Sequence, residues 1–267
     1  MAIPQNKTVA VGDTCIDYAV FGSGKKILVL LPGLSIRSVK GTAVMLAAMY
    51  QKYLKEYTIY AFDKKRVVPK DYSIWDIADD TAHAMRTLGI EKADVMGVSQ
   101  GGMIGQALAI RYPQMVQKLV LCVTACEKNP VMEAVLDRWI QLASEGDWKT
   151  FNTFTFEKMY SKQYLKKYGA IIPLVAGLSK CSDVPRFITL ANACRNFCCT
   201  QELHKITCPT FVIGAKDDLV LTGEASAQIA EALSCKLYLY DEYSHGVYDE
   251  APDFNDRVFA FLREEQA

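Results

Sequence analysis

The chain of 267 residues has no net formal charge, no long apolar run and only three histidines. Each shortage excludes something. Thirty Lys plus Arg stand against thirty Asp plus Glu, so there is no basic stripe for a nucleic acid and no strong field toward an anionic surface. No stretch approaches the roughly 18 apolar residues that a membrane-spanning helix requires. The opening "MAIPQNKTVA" lacks a basic segment leading into an apolar one, so no signal peptide is expected. No C-x-x-C pair occurs among the nine scattered cysteines, several of which lie in apolar runs such as "LVLCVTAC". These read as reduced, buried thiols of a cytoplasmic protein, neither a disulfide framework nor a metal site. Cys194, Cys198, Cys199 and His204 are near one another in sequence, but thiols packed in a helical core explain them better than zinc does.

What is present is globular in kind: 51% hydrophobic and 22% charged residues, enough for one large domain or a domain carrying an insertion. "TVAVGDTCIDYAVFG" predicts a hairpin turning near Gly12-Asp13. After it, apolar runs of strand length alternate with helical patterns: "KKILVLLPG", a helix over about 36 to 55, "YTIYAFD", the helix "DIADDTAHAMRTLGI", "ADVMGVS", the helix "GGMIGQALAIRYP", and "KLVLCVTA". Strands buried on both faces and separated by helices predict a mostly parallel sheet with flanking helices, an α/β fold. From about 127 to 206 the pattern shows helix starts, at Asn129-Pro130 and at Ser182 with Pro185, and no strand. Strands return at "CPTFVIGA" and "CKLYLYD", and "APDFNDRVFAFLREE" closes the chain as a helix. The expected division is a core of residues 1–126 and 207–267, with an all-helical cap of residues 127–206 inserted between two strands and so lying over their carboxyl ends, where open α/β sheets bind ligands.

"GVSQGG", residues 97 to 102, carries the chemistry. A Gly-x-Ser-x-Gly pattern alone would arise by chance in about 4% of chains of this composition, so its surroundings decide. Ser99 directly follows a strand and directly precedes a helix. That sharp turn lifts a nucleophile out of the sheet and tolerates only small neighbours. A serine hydroxyl also needs a base, and of His83, His204 and His245 only His245, in the loop "DEYSHGVYDEAP" after the last strand, is placed for it. A carboxylate should fix the imidazole, and "VIGAKDDLV" offers Asp217 and Asp218, one an orienter and the other a solvated charge. The backbone N–H of Gln100, and that of Leu34 in the loop after "ILVLLPG", are the expected oxyanion donors.

These segments together resemble the α/β-hydrolase family, in its serine-nucleophile branch with a helical cap. The resemblance spans nearly the whole chain through "LPGL", "AFDKKR", "GVSQGGMIGQALAIRYP", "VIGAKDDLV" and "YSHGVYDEAPDFNDRVFAFL". It implies a catalytic triad, no cofactor and no metal. In such proteins the acid usually stands three residues after the glycine of "G-x-x-D", which selects Asp217 over Asp218. The chain departs from many relatives in having Pro32-Gly33 where they have His-Gly, and "DKKRVVPKDYS" where they have a glycine-rich turn. The implied activity is cleavage of a small apolar carboxylic ester or lactone, in the manner of esterases and enol-lactonases, through an acyl-enzyme on Ser99. A ligand receptor with little turnover, an acyltransferase and a carbon–carbon bond hydrolase share the same residues. In the cap, Phe151, Phe154, Phe156 and Met159 would either roof the pocket or pack the cap against itself.

Overall fold

A computed structural model describes residues 2–265. Its centre is an eight-stranded sheet of order β1-β2-β4-β3-β5-β6-β7-β8. The hairpin β1 (Gln5–Val11) and β2 (Thr14–Gly22) turns at Gly12, and β2 pairs antiparallel with β4 (Tyr57–Phe62). From β4 onward the strands are parallel: β3 (Lys26–Leu31), β5 (Ala93–Val98), β6 (Val116–Cys122), β7 (Thr210–Ala215) and β8 (Lys236–Tyr240).

Every residue of β5 and β7 is buried, because helices cover both faces of the sheet. Alternation along each strand sends successive side chains to opposite layers. Val29 and Leu31 of β3, Val95 of β5 and Leu119 and Leu121 of β6 join one core with α2 (Ile74–Thr87), α3 (Gln100–Arg111) and α9 (Gly223–Leu233). Leu28, Leu30, Met96, Val98 and Val120 join the other, with α1 (Ala43–Met49) and α11 (Phe254–Arg263). The helix expected over about 36 to 55 is shorter. Residues 36 to 42 are a loop because Asp63 takes the Ser38 hydroxyl (2.7 Å) and the Val39 N–H (3.0 Å), a tertiary demand invisible in local sequence.

Between β6 and β7 lie α4 (Pro130–Glu145), α5 (Trp148–Met159), α6 (Lys162–Tyr168), α7 (Ile172–Val175) and α8 (Val184–Arg195). Asn129 caps α4, as its sequence suggests. For α8 the cap is Asp183, one residue beyond the expected Ser182. This insert is bonded to segments that follow the carboxyl ends of strands. Arg186 donates to the carbonyls of Lys64 (2.8 Å) and Lys65 (3.0 Å), and Asn129 to that of Leu221 (2.7 Å). Tyr160 donates to Asp249 (2.8 Å) and the Ser161 N–H to Glu250 (3.0 Å), both on the short helix α10 (Val247–Glu250). No helix among the described residues is long and apolar enough to cross a membrane.

Candidate active site

Ser99 stands between β5 and α3 with φ 55° and ψ −119°, a conformation that costs a non-glycine residue about 1–3 kcal/mol. The surrounding backbone imposes it. A Cβ added to Gly97 would lie 2.2 Å from the Gly101 carbonyl oxygen, and one added to Gly101 would lie 1.8 Å from that of Leu31. The glycines are therefore required for close approach in the elbow. An ordinary serine at a helix start bonds an amide of the first turn, as Ser73 and Ser161 do for α2 and α6. The Ser99 hydroxyl makes no such cap. Thr222 at the start of α9 also combines a positive φ with no cap; Ser99 differs in the close glycine approaches that surround it at positions 33, 97 and 101. Ser99→Gly should accordingly be more stable than Ser99→Ala by about 1 kcal/mol, since only glycine accepts this backbone freely. Urea denaturation of the two variants measures it, and equal stabilities would remove the strain argument.

His245 follows β8 and is 3% exposed. Its Nδ1 lies 2.8 Å from Oδ2 of Asp218, which is itself 5% exposed. The other carboxylate oxygen of Asp218 accepts the N–H groups of Val220 (2.8 Å) and Leu221 (2.9 Å), so the carboxylate cannot rotate freely. The expectation of Asp217 is corrected here: Asp217 is exposed and has no hydrogen bond to His245. The ladder between β7 and β8 continues through the bond from the Lys216 N–H to the Tyr240 carbonyl (2.9 Å). The turn therefore starts later than a count from Gly214 assumes and carries Asp218, not Asp217, over the imidazole.

Ser244 fastens this corner. Its hydroxyl accepts the Leu219 N–H (3.1 Å) and donates to the Lys158 carbonyl at the end of α5 (2.7 Å). It thus ties the acid loop, the histidine loop and the insert together. His83 and His204 are both exposed. Ser99, Asp218 and His245 follow the carboxyl ends of the parallel strands β5, β7 and β8, while no hydrogen bond joins the Ser99 hydroxyl to His245 among the described residues.

Gly33 packs directly on the elbow, where an added Cβ would stand 3.3 Å from Ser99 Cβ and 3.9 Å from its hydroxyl oxygen. Neither the Leu34 N–H nor the Gln100 N–H donates a hydrogen bond among the described residues. The Gln100 side chain is engaged elsewhere, donating to the Leu190 carbonyl (2.8 Å) and the Cys194 sulfur (3.0 Å) of α8. Burial pushes the Cys194 thiol up to about 12, so it remains protonated and is no rival nucleophile. The nine cysteines are free, and Cys122, Cys126, Cys194 and Cys199 are buried.

A cavity of about 570 Å³ reaches the elbow through Gly33 and Val98, though neither Ser99 nor His245 lines it, and lies between the 32–39 loop, α1, Leu190 and Arg186 of α8, and Tyr248. Phe151, Phe154, Phe156 and Met159 do not line it. Phe151 packs edge-on against Phe187, and Phe156 stacks on Tyr160 inside the insert. The insert reaches the cavity through α8 instead. Lys64, a residue that sequence reasoning passed over, lines the same cavity and is 5% exposed.

A family model described as alpha/beta hydrolase fold matches residues 59–252. A Rhizobium rhizogenes protein that carries the name carbamate hydrolase RutD is 26% identical over 250 residues, spanning 89% of this chain and 93% of that protein. The mouse protein named serine hydrolase BPHL is 25% identical over 272 residues, covering 96% and 85%. Among solved structures, the enol-lactonase from Burkholderia xenovorans superposes with TM-score 0.83 at 21% identity over 97% of this chain and all of that one. At that identity the structural match speaks to the fold.

Proposed function

The chain belongs to the alpha/beta hydrolase fold family, and from that premise we propose that it is a serine hydrolase whose acyl-enzyme forms on Ser99. The observation that carries the reading is an elbow serine with an unclaimed hydroxyl, at the same carboxyl end of the parallel strands as a buried histidine held by Asp218. In the proposed cycle Ser99 Oγ attacks a carbonyl carbon while His245 Nε2 takes the hydroxyl proton. Asp218 holds the proton on Nδ1 and stabilises the imidazolium. The amides of Leu34 and Gln100, both without other acceptors, bind the oxyanion. Collapse expels the leaving group, which takes the proton from His245. Water, deprotonated by the same imidazole, then releases the acid. The contact between Ser99 and His245 tightens when substrate arrives, as catalytic hydrogen bonds commonly do.

The substrate class we propose is a small ester or lactone. Apolar side chains, among them Met45, Leu46, Met49, Met96, Val98 and Leu190, line one part of the cavity, which suits an apolar acyl or alcohol group. A carbamate, the substrate named for one relative, presents the same acyl carbon and would use the same residues.

Labelling with a fluorophosphonate tests the reading without a guess about substrate. A single adduct on Ser99, located by peptide mass spectrometry and lost in His245→Ala, is the expected result. An unlabelled native protein, or an adduct elsewhere, would refute an activated Ser99.

A further inference from the structure

Lys64 is a buried ammonium without a carboxylate of its own. Its Nζ donates to the carbonyl oxygens of Pro32 and Gly33, both at 2.8 Å. The adjacent carboxylate is committed to other donors. Asp63 accepts from the Lys64 backbone N–H (2.7 Å) and Arg186 (3.3 Å) on one oxygen, and from Ser38 and Val39 on the other. Lysines are almost never buried without an ionic partner, because desolvation of the charge is costly. Here the whole head group is devoted to two consecutive carbonyls of one loop.

That loop is the one packed on Ser99. A trans peptide is planar, with its C=O and the following N–H pointing in opposite directions, and no peptide bond among the described residues is cis. A cation holding the Gly33 carbonyl therefore turns the Leu34 N–H to the opposite side, and its hold on the Pro32 carbonyl does the same for the Gly33 N–H. Successive amides aimed to one side make an anion-binding concavity. We propose that Lys64 is a positioning residue for the oxyanion site, clamping the Pro32 and Gly33 carbonyls so that the Leu34 amide is held for the charge that develops at Ser99. This rests on the serine-hydrolase reading above.

The clamp carries its own pH signature. Burial lowers the Lys64 ammonium to about 8. Asp63, its neighbour in sequence, favours the charged form and Arg186 on α8 opposes it, while Cys194 on α8, protonated across this range, adds no charge. The 32–34 loop offers only neutral carbonyls. With the folded value lowered, the ammonium is intact below about pH 8 and discharges as pH rises through it. Both charge-assisted bonds then weaken.

The test is steady-state hydrolysis of p-nitrophenyl butyrate from pH 6.5 to 10 by the wild type, Lys64→Met, Lys64→Gln and Ser99→Ala. Removing one oxyanion donor costs on the order of 10²-fold in kcat. Lys64→Met should lose about that much with KM changed by no more than about threefold. Lys64→Gln, which keeps N–H donors that do not titrate, should lose less. The wild-type kcat should fall through about pH 8, and neither variant should show that limb. A wild-type kcat that stays level from pH 7 to 10, a limb that persists in Lys64→Gln, or a loss confined to KM would each overturn the clamp. The Gln variant and the wild-type profile decide even where the Met variant does not fold. Ser99→Ala that matches the wild type would instead overturn the serine reading, and the clamp with it. A Ser99-dependent wild type alongside an unimpaired Lys64→Met would overturn only the clamp.

Discussion

Replacing Ser99 by alanine is expected to lower kcat by roughly 10⁴-fold or more on any ester that the wild type hydrolyses. The size of the effect follows from what remains. The variant keeps the cavity, the free amides of Leu34 and Gln100 and the Asp218–His245 pair, so it still binds substrate and polarises its carbonyl. It has no hydroxyl to attack with, and water must replace it without positioning. KM should therefore change little while kcat collapses. The substitution removes one oxygen that caps nothing, so stability should be nearly unaffected and lost activity cannot be blamed on unfolding. Circular dichroism and kinetics on one preparation settle both points. Ser99→Ala that keeps more than about a tenth of wild-type kcat would sink the acyl-enzyme.

Part of the fold and of the site is legible in the sequence alone. Strands β3, β5 and β7 are legible because burial on both faces demands continuous apolar runs, and the runs end where the strands end. The elbow is legible because its close approaches admit only glycine at 97 and 101. Both constraints are local. What was illegible depended on distant partners. Asp63 reaches back to Ser38 and Val39 and holds open a loop where helical periodicity suggested helix. The choice between Asp217 and Asp218 turned on how far the β7–β8 ladder continued, which no spacing rule contains. Lys64 in "AFDKKR" looks like one of three solvated cations. Its neighbours Lys65 and Arg66 do find carboxylates, Asp80 and Asp17, whereas Lys64 turns inward to two carbonyls. The aromatic run of α5 left roofing and packing open in the sequence, and Phe151 and Phe156 pack within the insert.

The acid assignment yields the second large effect. Asp218→Asn should lower kcat by about 10⁴-fold, and Asp217→Asn by less than about twofold. The two oxygens of Asp218 are unlike. One accepts the N–H groups of Val220 and Leu221, so the carbonyl oxygen of an asparagine must stay there, because an NH₂ group facing two donors would forfeit both bonds. The asparagine NH₂ is then forced toward His245 Nδ1. That nitrogen becomes the acceptor, the ring proton moves to Nε2, and Nε2 can no longer take the serine proton. The variant keeps its fold and loses its base through the wrong tautomer. Asp217 is exposed and does not bond the imidazole, so its neutralisation changes only a surface charge. Kinetics of the two asparagine variants against the same ester discriminate sharply. A large loss in Asp217→Asn with Asp218→Asn near wild type would reverse the assignment, and equal modest losses in both would mean that neither carboxylate orients His245.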